Sequence, residues 1–216
     1  MILLCDGKGY VVECHQHGIH TEFEPGDFSS SCYPFESDRE KKPYIENNKT
    51  DPTRRATSIK PIFLVLADIP RRRLRPLLSE YPHADEILER LDSEDRPFRQ
   101  RLHAAIAGFC DALRKRLVAL CNKEELRVVS VGISVPSQWP AEVEDFMADV
   151  FVAKLLKRAE CVQVSRDQIL FHSETQALAH NVFKEAGRLL EPRGTTMKGF
   201  LLLDFGGQNL VSSVYS

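Results

Sequence analysis

Between residues 98 and 120 the apolar side chains recur four and three apart: Phe98, Leu102, Ile106, Phe109, Leu113, Leu117 and Leu120, with charges on the opposite side. That period predicts one long amphipathic helix. Asp95-Arg96-Pro97 supplies its start, because proline in a first helical turn forfeits no internal hydrogen bond. Residues 128–135, Val-Val-Ser-Val-Gly-Ile-Ser-Val, are β-branched and are closed by Pro136, which predicts a strand. Downstream the pattern predicts a helix over 141–159, short strands at 162–164 and 169–171, and a helix over 174–190. A turn at 191–194, a buried strand at 199–204, a turn at Phe205-Gly206-Gly207-Gln208 and a last strand at 210–215 follow. Strands alternating with helices predict an α/β fold.

The first 60 residues are less regular. Ile2-Leu3-Leu4-Cys5 and Tyr10-Val11-Val12-Glu13 flank Asp6-Gly7-Lys8-Gly9, which predicts a hairpin with a glycine turn. From Glu24 to Thr57 the composition shifts to Pro, Ser, Asp, Asn, Lys and Arg, which predicts a long loop or a partly disordered segment. Ile62-Phe63-Leu64-Val65-Leu66 then resumes an apolar run. The domain reading is therefore an irregular extension over 1–60 and one α/β body over 61–216.

Composition narrows the classes. The chain has 216 residues, 29 Lys+Arg against 31 Asp+Glu, and 43% hydrophobic residues. A balance so near neutrality gives no electrostatic reason to expect nucleic acid or an anionic membrane as the main ligand. No run approaches the ~18 apolar residues of a membrane span, and Met1–Cys5 stops at Asp6, short of a signal peptide's apolar region. A cytoplasmic protein is expected. The six cysteines are scattered with no C-x-x-C pair, so free thiols are expected.

Several short motifs offer chemistry. Cys14-His15-Gln16-His17 concentrates metal-ligand types without the spacing of a tetrahedral zinc set, and exposed hairpin polar residues account for it as well. Gly132-Ile133-Ser134 lacks the second glycine of a nucleophile elbow. Arg71-Arg72-Arg73-Leu74-Arg75 reads as a solvated helix start in preference to a phosphate or nucleic-acid patch. Arg54-Arg55-Ala56-Thr57-Ser58 has the form of a basophilic kinase site in an exposed loop. More informative is Leu201-Leu202-Leu203-Asp204-Phe205-Gly206-Gly207-Gln208-Asn209-Leu210-Val211. An apolar strand ends in a carboxylate, and two glycines precede the next strand. Glycines let backbone N–H groups approach phosphate oxygens without a Cβ clash, and the aspartate can orient magnesium or its water. An ordinary hairpin turn has the same letters.

The stretch resembles the second phosphate motif of the 70-kilodalton heat-shock chaperones, members of the actin-like and sugar-kinase-like ATPase superfamily. Arg127–Pro136 resembles the family's strand ending in Val-Pro, Ile169–Ala179 its strand, glutamate and Ala-rich helix, and Gly199–Ser213 its phosphate hairpin. The resemblance covers residues 95–216 and is closest to divergent fungal-type relatives. It implies a ribonuclease H-like lobe of an actin-like ATPase domain plus the first hairpin of the second lobe, binding ATP with Mg²⁺. Gly206, Gly207, Gln208 and Asn209 would hold the phosphates, Asp204 would lie at the metal, and Glu174 would support the site. Gln208 and Asn209 stand where the family has glycine and threonine, and no Asp-x-Gly-Thr-Thr motif opens the chain. The resemblance thus implies a truncated, divergent nucleotide-binding domain, active only as an ATPase if at all. The alternative is an inactive interaction module or gene fragment, with a protein partner bound through the strand edge at 210–215.

Overall fold

The computed structural model describes residues 31–36, 40–46, 53–125, 127–174 and 176, together with the strand backbones at 2–5, 8–11, 14–15, 28–29, 200–205 and 210–215. The fold is mixed α/β, with five helices and several small sheets among these residues. The chain divides into two compact units, residues 1–132 with 140–170, and residues 133–139 with 171–216.

In the first unit, β1 (Ile2–Cys5) pairs antiparallel with β2 (Lys8–Val11), with Cys5 opposite Lys8. Two residues therefore connect the strands where the sequence suggested four. Two two-residue strands, β3 (Cys14–His15) and β4 (Phe28–Ser29), pair in parallel, and β5 (Ser31–Cys32) pairs with β6 (Thr57–Ser58) in antiparallel. Four helices follow: α1 (Lys60–Leu66), α2 (Arg71–Leu78), α3 (Ala84–Asp92) and α4 (Arg96–Glu124). The strand β7 (Ser130–Val135) pairs antiparallel with β1 at Ser130–Gly132. Helix α5 (Ala141–Lys154) follows, and strand β8 (Ile169–Ser173), whose residues from Phe171 on are counted with the second unit, is the last strand of a sheet of order β2-β1-β7-β8. The hydroxyl of Ser130 donates to the carbonyl of Gln168 at 3.0 Å, tying the start of β7 to the approach to β8.

Helix α4 forms where the period placed it. Asp95 caps it by accepting the N–H of Phe98 at 2.9 Å, which satisfies a donor the helix itself cannot reach. Its stripe is the core: Phe98, Leu102, Ile106, Phe109, Leu113 and Leu117 are all buried. The apolar run at 62–66 becomes α1 because every residue from Pro61 to Leu66 is buried, so no polar face betrays the period. Phe63 meets Phe146 and Phe151 edge-on, at 6.3 and 6.0 Å between ring centroids. Helix α5 stops at Lys154, five residues before the predicted end, and a short 3₁₀ turn, Leu156–Arg158, takes over after Leu155. The strand expected at 162–164 is a single parallel bridge between Val128 and Val162.

The stretch expected as a loop over 24–57 is built into this unit wherever it is described. Cys32, Tyr33, Phe35 and Tyr44 are buried. Phe35 stacks at 6.0 Å on Phe98 of α4, and Tyr44 meets Phe109 edge-on at 5.7 Å. Gly108 lets this happen: a Cβ there would lie 2.9 Å from Cβ of Tyr44. The aromatic side chains, spaced without a period, anchor a strap across α4.

In the second unit, Trp139 N–H donates to the Pro136 carbonyl at 3.0 Å, closing a turn after β7. Strands β9 (Phe200–Phe205) and β10 (Leu210–Tyr215) form an antiparallel pair. The helix predicted from 174 is described at Glu174 and Gln176; the rest of it and the turn at 191–194 lie outside the described residues.

Candidate functional site

The register of β9 and β10 positions the sequence's main candidate. Phe205 is opposite Leu210, Asp204 opposite Val211 and Leu203 opposite Ser212. The strands therefore run paired up to Phe205, and the four residues Gly206-Gly207-Gln208-Asn209 make the connection. Those four lie outside the described residues. Asp204 is the last residue but one of β9, next to the connection in the chain.

Glu174 follows β8 directly. Ser173 N–H donates to Oε1 of Gln176 at 3.1 Å, and Gln176 N–H donates to Oγ of Ser173 at 3.0 Å. This reciprocal pair is a capping box, which satisfies two backbone donors at a helix start. It fixes Glu174 as the first helical residue, half-buried, where a carboxylate also suits the positive end of the helix dipole. The box was readable as Ser173-x-x-Gln176, although the sequence reading singled out only the glutamate.

No protein-family model, curated protein or solved structure matches this chain. The site must be judged on its own residues.

Among those, the best-built polar constellation lies under the strap. Arg54 donates from Nε and Nη2 to the two carboxylate oxygens of Glu36, at 2.8 and 2.6 Å, and from Nη2 to the Lys42 carbonyl at 2.9 Å. Its guanidinium sits 4.1 Å from the ring centre of Tyr33. Arg101 of α4 donates to the carbonyls of Pro34 and Tyr33 and stands 3.7 Å from Glu36. Only 7% of the Arg54 side chain and 15% of Glu36 reach solvent. The hydrogen bonds from Arg54, with the charges of Arg54, Lys41 and Arg101, hold the Glu36 carboxyl below the usual range against the opposing effect of burial. These contacts fasten the strap to itself and to α4.

The neighbouring pair is similar in kind. Arg55 is bonded to Glu86, which also binds Arg90 at 2.9 Å. Burial works against the charge of Glu86, but the hydrogen bonds and charges of Arg55 and Arg90 outweigh it and lower its pKa. These contacts correct the kinase-site expectation: Arg54 is occupied and Thr57 is 3% exposed in β6. A kinase needs its acceptor hydroxyl on an extended, accessible chain, and Thr57 is inside.

A cavity of about 300 Å³ between the end of α3 and the start of α4 is lined by Leu91, Glu94, Asp95, Arg96 and Arg99. Carboxylates and guanidiniums share its wall, so it favours neither sign of charge. Among the described residues no group of three His, Cys, Asp or Glu is arranged to hold a metal ion; the side chains of Cys14, His15 and His17 lie outside them. Arg71 and Arg73 of the basic cluster pair with Asp92 and Glu142, at 3.0 and 2.7 Å. No helix among the described residues is long and apolar enough to cross a membrane.

Proposed function

We propose that residues 95–216 are a divergent nucleotide-binding region of the heat-shock-chaperone kind, a ribonuclease H-like lobe followed by a phosphate-gripping hairpin. The observation that carries the reading is the β9–β10 register. It ends strand pairing at Phe205 and Leu210 and so leaves Gly206, Gly207, Gln208 and Asn209 as the connection, one residue beyond Asp204. The element order supports it: a long helix α4, then β7 running to Val135-Pro136, then β8 delivering Glu174 at a capped helix start.

The donor set suits a magnesium nucleotide. Two glycine amides can approach phosphate oxygens closely, and the amide side chains of Gln208 and Asn209 offer both donors and acceptors. The carboxylate of Asp204 would hold magnesium directly or through water. When bound, the cation neutralises phosphate charge. Glu174 would orient the water of that shell. Binding is the part of the function these residues provide.

The test is calorimetric titration of the chain with ATP in the presence of magnesium, repeated with Asp204→Asn. Saturable heat that weakens in the variant and without magnesium supports the reading. Absence of heat at millimolar nucleotide retires it.

A second reading, protein–protein association through the outer edge of β10, is favoured by one feature. The described residues place β9 and β10 in a two-stranded sheet, and an unpaired strand edge is a template for another chain. Light scattering separates the two: concentration-dependent association supports the edge reading, and a monomer at high concentration removes it.

A further inference from the structure

His83 leads into α3 from the left-handed region of backbone space, at φ 65° and ψ 20°. A polar side chain at that position usually turns back to bond the free amides of the helix it precedes. The ring of His83 makes no such bond. It is turned onto the strap instead. Nη2 of Arg55 donates to its Nδ1 at 3.2 Å, and the ring meets Phe35 edge-on at 5.0 Å between centroids. Phe35 in turn carries the Arg55 guanidinium 4.9 Å from its ring centre and stacks on Phe98 of α4. One exposed imidazole thus touches both arms of the strap, Phe35 on the arm that follows β5 and Arg55 on the arm that leads into β6.

The chemistry of this contact admits one protonation state. A guanidinium only donates, so Nδ1 turns its lone pair to Arg55 and the ring proton sits on Nε2. A second proton would put an N–H where the acceptor was and set a cation against a cation. Arg55, from the strap, is the charged group in contact with the ring. On α3, Glu86 is bonded to Arg55 and, at 2.9 Å, to Arg90, so two guanidiniums already share its charge, and Asp85 is exposed. From α2, Arg71 is on Asp92 at the far end of α3. From α4, Arg101 is turned to the carbonyls of Tyr33 and Pro34, and Phe98 reaches this place through Phe35. An imidazolium therefore either faces Arg55 or competes with it for Glu86, and both outcomes loosen Arg55.

We propose that His83 is a proton-sensitive latch on the strap: neutral, it holds Arg55 and Phe35 in place, and protonated, it releases them and loosens the cover over Phe98. Imidazole is the side chain whose charge ordinarily changes between about pH 5 and 8. The other fastening behaves differently. Arg54 and its companions hold the Glu36 carboxyl below the usual carboxylate range, so that ion pair stays intact as the imidazole takes its proton. Release is therefore local, at Arg55 and Phe35, while Arg54 keeps its grip. The backbone of His83 fits this role, because a side chain held at positive φ is kept there by its contacts. Losing the ring's contacts also frees the turn before α3.

The latch is separate from the nucleotide reading, since it uses none of residues 174 or 204–209. The test is hydrogen exchange of the full chain read by mass spectrometry at about pH 7.5 and about pH 5.5, with the intrinsic pH dependence of exchange divided out. It is run on the unaltered chain, on His83→Asn and on Arg55→Gln. Asparagine tolerates left-handed backbone, and its side-chain oxygen accepts from Arg55 without titrating. In the unaltered chain, protection of residues 31–36 and 53–58 should fall about threefold at the lower pH, the size of an exposed charge contact. The middle of α4 should keep its protection. His83→Asn should show no such fall. Arg55→Gln removes the cation that faces the ring, so it should also abolish the pH step while lowering protection at both pH values. Equal protection of the strap at the two pH values in the unaltered chain overturns the proposal, as does an undiminished fall in His83→Asn or in Arg55→Gln.

Discussion

The guanidinium of Arg54 is forked onto the carboxylate of Glu36 while its face covers the ring of Tyr33, 4.1 Å from the ring centre. One side chain thus ties three parts of the strap together and, through Arg101, ties the strap to α4. Removing one partner of a nearly buried ion pair leaves the other charge without compensation. Arg54→Ala is expected to cost roughly 2–3 kcal/mol in urea unfolding, and proteolysis should then cut first between residues 31 and 58. A loss below roughly 0.5 kcal/mol would show the pair to be ornamental.

The same pair sets a pH dependence. Glu36 has a folded pKa below its unfolded value. Its contribution is therefore complete above the unfolded carboxylate value near ~4.3 and is lost as pH falls through the lower, folded value. The destabilisation by Glu36→Gln, measured at pH 7, should shrink toward zero at the acid end of the stability curve. A difference independent of pH would contradict the assignment.

Gly108 tests the packing of the strap against helix propensity. Alanine gains about 1 kcal/mol within a helix, but its Cβ would lie 2.9 Å from Cβ of Tyr44, an atom held close to the backbone. Overpacking of this kind costs about 1–3 kcal/mol, so clash wins. Gly108→Ala should be destabilising, and combining it with Tyr44→Ala should relieve the effect. A stabilised Gly108→Ala variant would mean that Tyr44 is not seated there.

Thiol reactivity reports the core. Burial raises the pKa of Cys32 and pushes Cys110 up to about 12, whereas Cys161 is half-buried and free. Since the thiolate is the reactive form, mass-spectrometric labelling near pH 8 should modify Cys161 well before Cys32, Cys110 or Cys121. Labelling of Cys110 at the rate of Cys161 would show that α4 does not pack as described.

What was legible in the sequence follows from what physical signal each part carries. Helix α4 was readable because Phe98 to Leu117 keep one period on one face and Asp95 marks the start. Strands β7, β9 and β10 were readable as apolar, β-rich runs bounded by Pro136 or by glycines. The strap was not, because Tyr33, Phe35 and Tyr44 are isolated among polar residues and become meaningful only when Phe98, Gly108 and Phe109 are brought beside them. Arg54 and Arg55 looked like a surface motif for the same reason: their partners Glu36 and Glu86 are 18 and 31 residues away in sequence. Of the candidate site, Glu174 opens a helix as expected, although β8 runs two residues beyond the predicted 171, and β9 runs through Phe205, one residue past the expected end at Asp204.

The central claim is that the connection after Asp204 grips the phosphates of a magnesium nucleotide. Calorimetric titration of the full chain with ATP and magnesium, set beside Asp204→Asn, tests it most directly. The claim expects one saturable site whose affinity falls at least about tenfold in the variant, corresponding to ~1.4 kcal/mol. Identical binding by the two proteins, or no heat from either at millimolar nucleotide, contradicts it.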